Sequence, residues 1–119
     1  MTGRIFDAQE ALRGGLVRSV HPQGELLDAA RGLARDLADN TSAVSVAMTR
    51  AMLWRIPPGA HPMEAHKVDS RAIYRLSKGV DAKEGVQSFL EKRPPAFPGR
   101  VSADMPDFYP WWGEEPPYE

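Results

Sequence analysis

The chain has 119 residues, with 15 basic and 16 acidic side chains and a net charge of −1. It therefore lacks the basic excess that nucleic-acid or anionic-membrane binding uses, and 42% hydrophobic and 26% charged residues are ordinary for a globular domain. There is no cysteine, which excludes disulfides, thiolate nucleophiles and cysteine metal sites; with no signal peptide and no apolar run near the ~20 residues of a membrane span, the expectation is a soluble, cytoplasmic protein.

In chain order, Asp7 is the expected cap of a first short helix, with Glu10 as its capping-box partner and Gly14-Gly15 as its stop. Leu16–Val20 reads as a short extended segment ended by His21-Pro22. Glu25–Leu37 carries Leu26, Ala30, Leu33, Ala34 and Leu37 on one stripe, the spacing of an amphipathic helix. Thr41 or Ser42 caps the next helix, Ala43–Trp54, which is apolar around much of its circumference and so belongs in a sandwich or an interface. Pro62 opens a third long helix ending near Ser77. Asp81 and Glu84 have capping-box spacing at the head of Ala82–Leu90, and Pro94-Pro95 forbids further helix. Residues 94–119 form a Pro- and Trp-rich tail with no predicted helix.

The pattern is mainly α, with little or no sheet. It holds no Gly-rich phosphate loop, no G-x-S-x-G elbow and no H-E-x-x-H. His61 and His66 are five apart, a poor spacing for a shared metal, so no metal site is assigned and His66 is read as solvent-facing or interfacial. Glu10 and Glu84 are explained as caps. Glu91-Lys92-Arg93 is a solvated helix end or a phosphate-contacting pair. Trp111-Trp112 must cover apolar surface, either as a strap over the chain's own core or as an intersubunit clasp.

Two stretches carry a family resemblance. TGRIFDAQEALRGGLV (2–17) resembles T-G-R-x-[FI]-x-A-x-E-A-x-x-x-G-L-V, and VDAKEGVQSFLEKRPPAFPGR (80–100) resembles D-x-x-E-G-[IV]-x-A-F-x-E-K-R-x-P-x-F. Both patterns belong to the crotonase superfamily, the enoyl-CoA hydratase/isomerase enzymes. The resemblance covers residues 2–100 and corresponds to the C-terminal portion of a family member, which is usually more than twice as long.

The resemblance implies three parts: residues 1–20 as the end of the spiral core, 21–93 as the helical oligomerisation domain, and 94–119 as a tail. It implies self-association, as a trimer or hexamer or through a swapped element, and a role in closing an acyl-CoA site. Coenzyme A would enter as part of the substrate, with no separate cofactor. The family's oxyanion-hole amides and catalytic Glu residues would precede Thr2, so no catalytic residue is assigned and the chain alone is expected to be inactive. Phe97 matches the aromatic that stacks near the CoA adenine; packing against the preceding helix explains it equally well. Lys92 and Arg93 are candidates for the CoA phosphates. Pro94 stands where some members have a phosphate-reaching lysine, and Arg93 serves equally as a structural ion-pair residue. The alternative from a different class is a non-catalytic helical module that self-assembles or joins a crotonase-fold partner.

Overall fold

The computed structural model describes residues 3–113, and among them there are six helices and no strand. The chain divides into two compact units, Met1–Arg35 and Asp36–Glu119. The mainly α expectation holds.

The first unit contains α1 (Ala8–Arg13) and most of α2 (Leu26–Asn40). Asp7 caps α1 by accepting the Glu10 N–H at 2.7 Å. Glu10 does not complete a capping box. Its carboxylate pairs instead with Arg4, one guanidinium nitrogen at 2.8 Å, and that pairing lowers the Glu10 pKa. A bidentate arginine offers two charged donors where a capping box offers one backbone N–H. The stop is a Schellman motif: the Leu16 N–H reaches the Ala11 carbonyl at 2.9 Å and the Gly15 N–H reaches Leu12 at 3.1 Å. Gly15 sits at φ +73, a conformation that suits glycine. Residues 14–15 form a turn and 16–18 a bend, so the predicted extended segment from Leu16 does not form.

α2 forms where its stripe predicts, yet none of its residues is buried. Leu26, Leu33 and Leu37 are exposed. Periodicity fixed the helix; it did not supply a surface to bury the stripe.

The second unit holds α3 (Ala43–Arg55), α4 (Pro62–Leu76), α5 (Val80–Glu91) and the four-residue α6 (Val101–Asp104). Ser42 caps α3, its hydroxyl accepting the Ser45 N–H at 3.2 Å. His61 caps α4 through Nδ1, which accepts the Met63 N–H at 3.1 Å, with Pro62 in the first turn. Val44, Met48 and Ala51, at i, i+4 and i+7 of α3, pack against Val68 and Ala72 of α4 as the apolar core. Away from this face, Leu53 and Trp54 of α3 are 79% and 76% exposed. This helix is buried on one face only.

The tail is not helix-free, since α6 contacts α3 and Pro106 is fully buried. The Arg71 guanidinium lies 4.3 Å from the Phe108 ring centroid, and Arg55 lies 4.6 Å from that of Trp112. Tyr109, Trp111 and Trp112 pack edge to face, with centroids 4.8–6.3 Å apart. Through Trp112 and Arg55 this aromatic cluster lies against α3 of its own chain. Residues 114–119 of the predicted tail lie outside the described residues.

α5 ends with a second Schellman motif: the Arg93 N–H reaches Ser88 at 3.1 Å and the Lys92 N–H reaches Phe89 at 3.3 Å. Here the left-handed residue is Lys92, at φ 54 and ψ 40. A side chain in that region costs about 1 kcal/mol relative to glycine. Lys92→Gly is therefore expected to raise unfolding free energy by about 1 kcal/mol in urea titration, with the m-value unchanged.

Candidate functional site

The second family-like stretch folds as α5, its Schellman stop and a return segment, residues 94–100, that doubles back along the helix. The N-cap of α5 is Gly79, with no side-chain cap bond, so Asp81 and Glu84 do not form the predicted capping box. Asp81 lies inside the first turn, and its carboxylate serves tertiary contacts. One oxygen accepts the Ser42 hydroxyl and the other accepts the Gly99 N–H at 2.7 Å. A Cβ at Gly99 would stand 2.4–2.8 Å from that carboxylate, so only glycine permits the approach.

Glu84 is held by Arg93 in a two-pronged ion pair of 2.6 and 2.9 Å. It also accepts the Ala96 N–H at 2.7 Å. The Arg93 guanidinium, then the Ala96 amide, lower the Glu84 pKa to about 2. Arg93 makes a further bond to Glu91 at 2.6 Å and one to the Pro94 carbonyl at 3.2 Å, and its own pKa is raised. Four of its N–H contacts are thus taken within the chain.

Phe97 is half-buried, its ring edge 3.6 Å from where a Cβ on Gly85 would stand. It forms part of the wall of a cleft of about 410 Å³, with Val44, Leu76, Val80, Ala82 and Asp81. The three sequence candidates therefore separate. Phe97 faces a cleft, Arg93 is the hub of an ion-pair cluster on its approach, and Lys92 is exposed at the turn. Among the described residues, no three His, Cys, Asp or Glu side chains gather to hold a metal, and no helix is long and apolar enough to cross a membrane.

Asp81, Glu84 and Gly99 were missed as site-forming residues. The signal was present: an Asp and a Glu at i, i+3 lie one turn apart on the same helix side and can both face a returning segment.

The profile for enoyl-CoA hydratase/isomerase matches residues 1–100. The chain belongs to the enoyl-CoA hydratase/isomerase family. It is 41% identical over 97 residues to enoyl-CoA hydratase AFT3-1 of Alternaria alternata, covering 81% of this chain and 32% of that protein. It is 36% identical over 104 residues to carnitinyl-CoA dehydratase of Salmonella paratyphi A, covering 84% of this chain and 39% of that one. A probable enoyl-CoA hydratase/isomerase from Mycobacterium abscessus superposes with a TM-score of 0.76 at 35% identity, over 83% of this chain and 39% of that structure. The chain thus spans about a third of the length of the curated relatives it matches. Asp81, Glu84, Arg93 and Phe97 lie within the part matched to the enoyl-CoA hydratase/isomerase family, and the residues from Val101 onward lie beyond it.

The lowered Glu84 pKa makes stability depend on pH with a definite sign. An unfolded Glu titrates near 4.3, so the stability drawn from ionised Glu84 is fully present above about pH 4.3 and is lost as pH falls through about 2. Glu84→Gln is expected to be less stable than the wild type at pH 6, with the gap shrinking steadily between pH 4.3 and 2 in chemical denaturation.

Proposed function

We propose that this chain supplies the assembly-forming helical portion of an enoyl-CoA hydratase/isomerase unit: it self-associates through apolar faces and closes an acyl-CoA site with Phe97 on its rim. The observation that carries the reading is the unpaired apolar surface. On α5, Phe89 is 82% and Leu90 73% exposed, and Val86 on the same helix is exposed too. On α2 the stripe of Leu26, Leu33 and Leu37 is open. Burying one such side chain fully yields roughly 1.5–3 kcal/mol, and contiguous apolar patches of this kind mark association surfaces.

Hydration of a 2-enoyl thioester needs donors for the developing oxyanion, each worth about 3–4 kcal/mol. It also needs a general base with a pKa near the working pH, worth about 10²–10⁴-fold. Glu84 is unsuited to be that base, because Arg93 holds it ionised down to about pH 2. Asp81 is engaged by Ser42 and Gly99. The role that fits these groups is holding and covering, with the proton-moving groups supplied by other parts of an assembled enzyme.

Three measurements test this. Sedimentation velocity at micromolar concentration is expected to show an oligomer, and a well-folded monomer contradicts self-association. The chain alone is expected to hydrate crotonyl-CoA no faster than background; turnover above background contradicts the division of labour. Calorimetric titration with CoA is expected to show binding that weakens roughly tenfold or more in Phe97→Ala, because an aromatic–base stack contributes about 1–3 kcal/mol. A stable oligomer with no CoA binding instead favours the non-catalytic interaction module.

A further inference from the structure

We infer that Asp81 and Glu84 are positioning residues for Phe97: two carboxylates one helical turn apart clip the backbone on either side of it and set where its ring stands. The Ala96 N–H, immediately before Phe97, is accepted by Glu84 at 2.7 Å. The Gly99 N–H, two residues after it, is accepted by Asp81 at 2.7 Å. Between the two clips lie only Phe97 and Pro98. Proline's fixed φ, and its restriction of the residue before it to extended conformations, leave Phe97 little backbone freedom.

Each clip is itself held. Arg93 grips both oxygens of Glu84, and the Ser42 hydroxyl at the start of α3 donates to Asp81. Gly99 lets the Asp81 clip close, since any Cβ would run into the carboxylate. The ring is seated against Gly85, in the turn after Glu84, and faces the cleft of about 410 Å³.

Helix termination does not account for these contacts. The Schellman bonds at Lys92 and Arg93 already take the Phe89 and Ser88 carbonyls and close α5. The N–H groups that the carboxylates take belong to the return segment, outside the helix. What the pair adds is a fixed path for residues 96–99. The use of that path, presenting Phe97 to a CoA nucleotide, rests on the function proposed above; the clip does not.

The test reads the ring position directly, by nuclear Overhauser contacts between Phe97 ring protons and the Gly85 Hα protons. The wild type is expected to show them. Asp81→Ala should lose them, and Asp81→Asn should retain them because its side-chain oxygen can still accept the Gly99 N–H. Gly99→Ala should lose them with the carboxylate intact, and it carries the test where Asp81→Ala unfolds, with circular dichroism reporting helix content throughout. Contacts that persist in Gly99→Ala or in a folded Asp81→Ala overturn the clip, as does their absence from the wild type. CoA titration runs in parallel. A wild type that binds no CoA overturns the nucleotide reading of Phe97 and leaves the ring-position result to decide the clip. Where the wild type binds, Gly99→Ala should weaken CoA about as much as Phe97→Ala, and unchanged affinity overturns the positioning role.

Discussion

The return segment after α5 is tied back to the chain by two carboxylates on that helix. Asp81 joins the start of α3 to Gly99, and Glu84 joins Arg93 to the Ala96 amide. Charge-assisted hydrogen bonds of this kind are directional, so they specify a path as well as an attachment. Pro94 and Pro95 prevent further helix, and the carboxylates decide where the chain goes instead. That is why an aromatic can follow a helix stop by a few residues and still occupy a defined place.

The apolar part of the structure has the opposite character. Between α3 and α4 the core consists of Val44, Met48, Ala51, Val68 and Ala72, mostly small side chains. The larger apolar residues of α2 and α5 face outward. The polar clip closes among the described residues, while large apolar side chains such as Phe89 and Leu90 remain exposed. The shape of the return segment is thus set by local polar contacts, while the larger apolar side chains of α2 and α5 stay at the surface.

Much of the fold was legible from the sequence. The α2 stripe, the Ser42 cap, the first-turn Pro62 and the Gly14-Gly15 stop each rest on a backbone requirement that residue type satisfies locally. The two capping-box errors share one cause. Glu10 and Glu84 both sit at capping-box spacing, and both were claimed by an arginine, Arg4 or Arg93, whose position depends on how the chain folds back. The helix stop at Lys92 carried no glycine to announce its left-handed residue. The short helix α6, held against α3 and followed by the buried Pro106, lacks a strong local signal of its own. At the site, Phe97 and the Arg93 ion pair could be named from the family-like stretch, whereas the Asp81–Gly99 contact is visible only once the return segment is placed.

Native-state hydrogen exchange tests the central claim most directly, because it compares neighbouring amides in one sample. The Ala96 and Gly99 N–H groups are accepted by Glu84 and Asp81, while no acceptor among the described residues takes the Phe97 N–H between them. Protection at Ala96 and Gly99 well above that at Phe97 is the predicted result. Equal, fast exchange at all three would mean that the carboxylates do not hold the return segment, and the account would fail at its base.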